Sequence, residues 1–330
     1  MAGRIIYVAP DVIVPAGGIR VLYRHVELLI ESGYDACIWH YSNGTQVEWF
    51  TSSAPVVFGS TMELDKADLL VVPEPLVFAG ADPAPGCRKV IYNQNHFTTF
   101  ENTSWADYPV WSPRPLMWVS SRASYDIAAR LTSVIPIDGV MHIPLAVDTD
   151  LFRPSKERED MVAWMPRKRP YEAELLHALL AGDERVPKVR LRAIQGMREE
   201  QAAEALGRAS VFIALGRDEG FGLPVAEALA AGCAVVGYPA GGGAELFEAP
   251  GSHAVVDSDV LGIVEKVVTL LLSDSMDHTR LASRAWVERM YPQRAQVEAL
   301  TRAAGATLEA PASGGKARHP WAQAVAGQSI

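Results

Sequence analysis

The stretch that decides the fold is GRDEGFGLPVAEALAAGCAVVGYPAGGGAELF, residues 216–247. It follows an apolar run, VFIAL (211–215), which predicts a buried strand that ends in a glycine-rich loop. Pro224 then predicts the start of a helix, because the missing N–H of proline costs nothing at the first helical position. The unpaired amides and the positive dipole end of that helix point into the loop, where a diphosphate would bind.

Two glutamates accompany this loop. Glu219 lies on the loop itself, and Glu227 lies one turn into the predicted helix, where side chains lean towards the N-terminus. A carboxylate at Glu227 can accept hydrogen bonds from the vicinal hydroxyls of a ribose, and Glu219 can face the other end of the same ligand. Gly220 and Gly222 let the backbone approach that ligand closely. A surface helix behind an acidic loop is the alternative interpretation, and it accounts for Glu219 alone.

Strands and helices alternate along the first half of the chain. Apolar runs at 4–10, 34–41, 68–75 and 89–95 predict strands, and the apolar spacing within 19–31 predicts a helix. This order indicates βαβ units and a buried parallel sheet. In open α/β sheets, ligands bind beyond the carboxyl ends of the strands, at the point where the strand order switches.

A second alternation begins beyond a polar, proline-containing stretch at 141–160, which predicts a domain boundary. We therefore expect an N-terminal domain over 1–148 and a C-terminal domain over 149–290. A terminal helix is expected over 291–305, and residues 306–330 are expected to form a flexible tail.

An aromatic-rich segment interrupts the first alternation. Residues 98–118 carry Trp105, Tyr108, Trp111 and Trp118 among three prolines, which predicts a long irregular loop with exposed aromatic surface. Aromatic faces stack on sugar rings or cover lipids, so this loop is a candidate lining for an acceptor site. Coverage of the core is the alternative and commoner role of such residues.

The composition narrows the class of protein. The 330 residues allow two domains of about 150 residues each. The formal net charge of -9 argues against nucleic acid as a partner, because such binding depends on Lys and Arg. Three scattered cysteines without metal-ligand spacing fit a reducing cytoplasm. No stretch reaches the ~18 apolar residues of a membrane span. We expect a soluble, cytoplasmic protein, and peripheral membrane contact stays open.

Three motifs resemble those of one enzyme family. EGFGLPVAEALAAG followed by CAVVGYPAGGGAELF resembles the E-x7-E region of retaining GT-B glycosyltransferases of family 4, with Glu219 and Glu227 at that spacing. IPLAVDTDLFRP (143–154) resembles the interdomain signature of the family, with Leu-Ala in place of the usual Asn-Gly, and PAGG (15–18) resembles its N-terminal glycine loop. The resemblance implies an α/β GT-B fold, with two Rossmann-like α/β/α domains that face each other across a cleft. It also implies an acceptor side in the N-terminal domain, a donor side in the C-terminal domain, and a terminal helix that braces the N-terminal domain.

The resemblance also implies roles for the residues of the loop and helix. Glu227 would hold the donor ribose, and Glu219 would contact donor-sugar hydroxyls near the reacting carbon. The main-chain amides of Gly222 and Leu223 would meet the diphosphate. The donor-binding segment implied in this way comprises Gly220, Phe221, Gly222 and Leu223.

A basic turn supplies the cations that the family places near the leaving diphosphate. MPRKRP (165–170) contains Arg167, Lys168 and Arg169 directly after a predicted core strand. We predict that Arg167 and Lys168 are catalytic and that Arg169 binds the donor, because preorganised cations stabilise the charge that develops on the leaving group. The family spaces its Arg and Lys about five residues apart, so which of these three residues contact the diphosphate stays open. Three cations on a solvated turn are the alternative.

Three further segments contain candidate residues of the site. Gly17 and Gly18 precede a helix and match the family loop that approaches the diphosphate, although turns use glycine in any case. His96, in NQNHF at the end of a strand, matches the region where family members carry a histidine near the transferred sugar. A partly buried structural histidine is the alternative for His96. Gly241–Gly243 with Glu245 resembles a family turn near the donor, and a flexible turn is the alternative.

These features predict a retaining glycosyltransferase. It would move a sugar from a nucleoside-diphosphate sugar to a hydroxyl of a small-molecule, lipid or glycan acceptor. The resemblance implies a UDP-sugar in preference to a GDP-sugar, because UDP-sugars are the more frequent donors in the family. No cofactor and no metal are expected, because the sequence has no Asp-x-Asp cluster beside the site. The alternatives are a sugar-nucleotide epimerase or phosphorylase of the same fold, or a catalytically silent nucleotide-sugar-binding protein. An NAD-dependent dehydrogenase is disfavoured, because PAGGIR lacks the G-x-G-x-x-G spacing.

Overall fold

The computed structural model describes residues 3–186, 188–273 and 276–327. The chain divides into two compact units: unit 1 comprises Met1–Pro144 and Arg294–Ile330, and unit 2 comprises Leu145–Gln293. The chain therefore leaves unit 1 slightly before residue 148, the predicted boundary, and returns to unit 1 near its end.

Strands and helices alternate along most of the chain. The strands are β1 (Arg4–Val8), β2 (Asp35–His40), β3 (Val56–Phe58), β4 (Thr61–Leu64), β5 (Leu69–Pro73), β6 (Lys89–Asn93), β7 (Leu116–Val119), β8 (Val140–His142), β9 (Met161–Trp164), β10 (Arg190–Ala193), β11 (Val211–Ala214), β12 (Ala234–Gly237), β13 (Ser252–Ala254) and β14 (Gly315–Arg318). The helices are α1 (Gly17–Glu31), α2 (Arg122–Leu131), α3 (Pro170–Gly182), α4 (Glu199–Arg208), α5 (Leu223–Ala230), α6 (Val260–Leu271), α7 (Met276–Met290), α8 (Gln293–Leu308) and α9 (Trp321–Gly327). Short 3-10 turns cover Glu74–Leu76, His96–Thr98, Pro166–Lys168 and Gly242–Glu248.

Unit 1 is built on a seven-stranded sheet in the order β3-β2-β1-β5-β6-β7-β8. All neighbouring strands in it run parallel. The central strands β5 and β6 are buried along their whole length. Burial on both faces explains why these strands are nearly continuous apolar runs in the sequence. The strand order reverses between β1 and β5, which makes the carboxyl ends of these two strands the topological switch point of unit 1.

Unit 2 has a five-stranded parallel sheet in the order β10-β9-β11-β12-β13. Its core lies between this sheet and helices α3 and α6, where side chains such as Leu176 and Ile263 pack with Val162 and Ile213 of the strands. The strand order reverses between β9 and β11, so the switch point of unit 2 lies at the carboxyl ends of those two strands.

The C-terminal segment is an ordered part of unit 1. On helix α8, Nε2 of Gln296 lies 3.2 Å from Nε2 of His25, which is buried on α1. Strand β14 pairs antiparallel with β4, and the neighbouring His319 is buried. The flexible tail predicted for 306–330 is therefore wrong over its described part, because backbone pairing and burial hold a segment whose Gly, Ser and Pro content suggested mobility.

The aromatic loop before β7 also differs from the prediction of an exposed aromatic surface. Trp105 is 67% exposed, but Tyr108, Trp111 and Trp118 are 6%, 1% and 0% exposed. The indole N–H of Trp111 donates to the carbonyl of Ala81 at 2.6 Å. Three of these four aromatic side chains therefore complete the core of unit 1, which was the commoner alternative.

Among the described residues, no helix combines the length and the apolar character that a bilayer crossing requires.

Candidate active site

Unit 2 places two loops side by side at its switch point. The loop after β9 carries Arg167, Lys168 and Arg169, and the loop after β11 carries Glu219 and the glycine-rich segment. Because β9 and β11 are parallel neighbours, their carboxyl ends lie at the same edge of the sheet, where α/β proteins bind ligands. The structure thus brings together two loops that lie about 50 residues apart in the sequence and that were each predicted to bind the donor.

The glycine-rich loop leads into helix α5, which begins at Leu223, one residue before Pro224. Gly222 precedes the helix with a φ of 95°, a left-handed conformation that glycine adopts at no steric cost. The amides of a first helical turn lack intrahelical partners and form the positive end of the helix dipole. Glu227 follows on this helix and is only 5% exposed, so its carboxylate is largely withdrawn from water.

A second glycine turn holds the backbone of Glu219. The Glu219 amide donates to the carbonyl of Ala240, and the Gly242 amide donates to the carbonyl of Glu219, each at 2.8 Å. A Cβ on Gly242 would lie 2.0 Å from the carbonyl oxygen of Gly220, so only glycine fits at this position. The turn Gly241–Gly243, predicted to lie near the donor, therefore shapes the loop that carries Glu219.

The side chains of the two loops meet in an ion pair. Nζ of Lys168 lies 3.0 Å from a carboxylate oxygen of Glu219 and also donates to the carbonyl of Arg217 at 2.8 Å. Both side chains remain partly exposed, at 26% for Lys168 and 21% for Glu219. Arg167 lies on the same 3-10 turn as Lys168 and is exposed to solvent. This edge of unit 2 therefore presents two cations beside a carboxylate and a helix N-terminus.

Arg169 differs from its two neighbours, because its guanidinium is buried and fully engaged. Its Nε donates to the carbonyl of Gly216 at 3.0 Å, and its two terminal nitrogens pair with Glu172 at 3.0 Å and with Asp257. The guanidinium also lies over the ring of Tyr238, 4.6 Å from its centroid. These contacts give Arg169 a structural role under the loops, in place of the donor contact that we predicted.

The side chain of Phe221 is also directed away from the loop. It is 4% exposed and packs edge-to-face against Tyr291, with 5.1 Å between the ring centroids. Only the main chain of Phe221 is therefore available to a ligand at this edge. The aromatic pair anchors the glycine-rich loop to the body of unit 2.

Unit 1 gathers its candidate residues at the same edge of its own sheet. Gly17 and Gly18 begin helix α1. The side-chain amide of Gln94 donates to the carbonyl of Gly18 at 3.1 Å. His96 lies on the turn after β6, with Nδ1 3.0 Å from Oγ of Ser124 at the start of α2. Burial lowers the pKa of His96 below its usual value. The loops after β1 and β6 and the start of α2 are thus linked by polar contacts.

Glu74 is a buried acid that the sequence analysis missed. It follows β5 at the switch point of unit 1 and is 5% exposed. Its carboxylate accepts hydrogen bonds from the amides of Gln94 and Asn95, at 3.0 and 3.2 Å, and from the hydroxyl of Thr98 at 3.1 Å. Burial raises the pKa of Glu74 to about 7, although these hydrogen bonds act in the opposite direction. A charged residue between two prolines directly after an apolar strand was the signal available in the sequence.

Within the part of the chain that the structure describes, no group of three or more His, Cys, Asp or Glu side chains is arranged to hold a metal ion.

Comparison with known proteins relates this chain to one class of enzyme. Residues 183–285 match the family model of Glycosyl transferases group 1, a range that includes Glu219, Glu227 and helix α5. Known structures with the same architecture are GT-B glycosyltransferases, so the prediction of a GT-B fold with two Rossmann-like domains is confirmed.

Individual proteins similar to this chain agree with that class. An alpha-1,6-glucosyltransferase of Actinobacillus pleuropneumoniae is 28% identical over 233 residues, which cover 67% of this chain and 68% of that protein. The sucrose-phosphate synthase of Thermosynechococcus elongatus has a TM-score of 0.66 at 12% identity, over 91% of this chain and 98% of that one. HepE of Anabaena, solved with UDP and glucose, has a TM-score of 0.61 at 12% identity, over 93% and 99%. The family match and the relative support a glycosyltransferase.

Proposed function

We propose that this protein is a retaining glycosyltransferase of family 4, which transfers a sugar from a nucleoside-diphosphate sugar to an acceptor hydroxyl. UDP-glucose is the first donor to test, because the similar Anabaena protein was solved with UDP and glucose and the Actinobacillus relative is a glucosyltransferase. Unit 2 would bind the donor, and unit 1 would supply the acceptor site.

The observation that carries this proposal is the pairing of Lys168 with Glu219 at the switch point of unit 2. A lysine ammonium has three N–H donors, and the contacts with Glu219 and the Arg217 carbonyl account for two of them. The third N–H would donate to a phosphate oxygen of the donor, while Glu219 would accept hydrogen bonds from the sugar hydroxyls. One ion pair would thereby hold both sides of the bond that breaks.

The chemistry follows from where charge develops. The bond between the anomeric carbon and the diphosphate oxygen breaks, and the bond from that carbon to the acceptor oxygen forms on the same face. The acceptor proton passes to the departing diphosphate, so no separate general base is required. Arg167, Lys168 and the amides of Gly222 and Leu223 would stabilise the negative charge that the diphosphate gains. Glu227 would hold the ribose.

Donor binding is tested by thermal-shift titration with UDP, GDP and ADP. A ligand at about 100 times its dissociation constant adds roughly 2.7 kcal/mol to the free energy of unfolding. We expect a shift with UDP that Glu227→Ala loses. Glu174→Ala, which removes an exposed carboxylate from helix α3 of the same unit, is the matched control and should keep the shift. Absence of a shift with every nucleotide at millimolar concentration would overturn the proposal.

Product analysis separates the remaining alternatives. Incubation with UDP-glucose and a mixture of hydroxyl acceptors should release UDP and yield a glycoside whose anomeric configuration, determined by NMR, matches that of the donor. A changed nucleotide sugar would indicate an epimerase, and a sugar phosphate would indicate a phosphorylase. Tight UDP binding without any product would indicate a binding protein.

A further inference from the structure

We propose that Glu74 is a positioning residue of the unit 1 site: its buried carboxylate sets the shape of the turn that carries His96 and, through Gln94, fixes the start of helix α1. This inference rests on the proposed function, because it assigns Glu74 to the site that would receive the acceptor. Glu74 lies directly after β5, at the switch point of unit 1.

The carboxylate of Glu74 gathers three donors from one turn. The main-chain amides of Gln94 and Asn95 donate to it at 3.0 and 3.2 Å. The hydroxyl of Thr98 lies 3.1 Å from the carboxylate and 2.8 Å from the carbonyl of Asn95, so its one proton is shared between these two acceptors. These three donors flank His96 on both sides in the sequence. A single buried acceptor therefore determines the path of the backbone from residue 94 to residue 98.

Hydrogen bonds also connect this turn to the loops that follow β1 and β7. The side-chain amide of Gln94 donates to the carbonyl of Gly18 at 3.1 Å, and the hydroxyl of Ser120 donates to the carbonyl of Gln94 at 2.9 Å. Nδ1 of His96 lies 3.0 Å from Oγ of Ser124. Glu74 is thus connected through Gln94 to Gly18 at the start of α1 and to Ser120 after β7.

The groups that contact the carboxylate of Glu74 are electrically neutral. Its hydrogen-bond donors are main-chain amides and a hydroxyl. The titratable side chains that interact with its charge are the phenols of Tyr92 on β6 and Tyr108 in the aromatic loop, and their pKa values are raised by burial and by Glu74. His96 lies on the turn itself. Burial accordingly places the pKa of Glu74 at about 7.

Substitution of Glu74 by glutamine should loosen the turn, because the NH₂ group of glutamine would oppose a donating backbone amide. A change of pH should act on the wild-type turn as well. Burial raises the pKa of Glu74, so the folded turn favours the neutral carboxyl and ionisation makes local opening of the turn easier. The unit 1 site should therefore be better ordered below pH 7 than above it.

Amide hydrogen exchange of the full chain tests this directly and needs no enzymatic activity. Protection factors of residues 94–98, corrected for intrinsic exchange, should fall about tenfold in Glu74→Gln. In the wild type they should fall as the pH rises from 6 to 8, because ionisation of the buried carboxyl favours local opening. Asp68→Asn is the matched control. Asp68 is a buried acid at the opposite end of the same strand, hydrogen-bonded to Arg4. It should leave the protection of 94–98 unchanged. Unchanged protection in Glu74→Gln would overturn the inference, and if that variant does not fold, the wild-type pH series decides.

Kinetics provide the functional measurement. UDP release from the best donor should be about 10- to 100-fold slower in Glu74→Gln, because a small misplacement of a site loop has costs of that order. A fall in wild-type kcat above pH 7 should be absent from this variant and present in Asp68→Asn. The UDP-induced thermal shift of Asp68→Asn should equal that of the wild type. A wild type that shows the thermal shift but never releases UDP would refute the proposed function. A Glu74→Gln variant with wild-type kcat and pH profile would refute only the role of Glu74.

Discussion

The switch points of the two units are built alike, but each rests on a buried charge of opposite sign. Under the unit 2 loops, the guanidinium of Arg169 donates to Gly216 and pairs with Glu172 and Asp257. Under the unit 1 loops, the carboxylate of Glu74 accepts hydrogen bonds from one turn. In both units the buried group ties several loops to the carboxyl edge of a parallel sheet.

The difference lies in how each charge is compensated. Arg169 has two carboxylate partners and remains protonated at any physiological pH. Glu74 has neutral donors, and burial raises its pKa to about 7. Unit 2 should therefore keep one geometry across the neutral range, whereas unit 1 should change within it.

The largest effect is expected from the ion pair of unit 2. Lys168→Met should lower kcat/KM by 10²- to 10³-fold, because it removes a preorganised cation from the leaving diphosphate. Lys156→Met, a loss of an exposed lysine from the same unit, is the control and should stay within twofold of the wild type. Initial rates with saturating acceptor provide the measurement.

A double-mutant cycle shows whether Lys168 acts on the substrate or only holds Glu219. If Lys168 only holds Glu219, Lys168→Met should have little effect in a Glu219→Gln background. If it also contacts the diphosphate, most of the loss should persist there. The first outcome would contradict the role that we propose for Lys168.

The next effect concerns the stability of unit 2. Arg169→Met should lower the free energy of unfolding by about 3 kcal/mol, since it removes three charge-assisted hydrogen bonds that a buried guanidinium makes to Gly216, Glu172 and Asp257. The cost should be nearly constant from pH 6 to pH 8, because a guanidinium does not titrate there. Arg190→Met is the control: Arg190 is an exposed arginine paired with Glu159, and its loss should cost less than about 1 kcal/mol. Urea unfolding followed by circular dichroism measures both.

In contrast, the stability of unit 1 should depend on pH in the neutral range. The folded-state pKa of Glu74 lies near 7, above its ordinary value, so the folded state binds more protons than the unfolded state between about pH 4.5 and pH 7. The contribution of Glu74 to the free energy of unfolding should therefore fall by up to about 3 kcal/mol as the pH rises through that range. Unfolding of wild type and Glu74→Gln at several pH values should show this as a difference in slope. Parallel curves would indicate that Glu74 titrates at its ordinary pKa.

The two units also differed in how far they could be predicted from sequence. In unit 2, Glu219, Glu227 and the basic turn lie on loops with strong local signals, namely glycines, a helix-initiating proline and a run of cations. Those signals predict position, but they do not predict partners. The neighbouring residues Lys168 and Arg169 look equivalent in sequence, and only the fold shows that Arg169 is buried beneath the turn while Lys168 stays partly exposed.

Unit 1 was harder because its site depends on pairing between distant segments. Nothing local connects Glu74 with the turn after β6, since their contact arises from the pairing of β5 with β6. The same limitation affected the tail: β14 forms because it pairs with β4, far away in the sequence. Apolar runs were sufficient to predict the parallel sheet itself, because burial on both faces leaves that pattern in the sequence.

The smallest effect on the reaction rate is expected from removal of metal ions. This experiment tests whether the cations of unit 2 are sufficient to stabilise the leaving diphosphate without a metal ion. Arg167, Lys168 and the N-terminus of α5 already offer positive charge to a diphosphate, so we propose that transfer needs no metal ion. Treatment with excess EDTA, followed by dialysis, should leave the initial rate within twofold of the untreated enzyme. A large loss of rate that Mg²⁺ or Mn²⁺ restores would show that these cations are insufficient. The effect of Lys168→Met should then be smaller than predicted above, because the metal would carry much of the compensating charge.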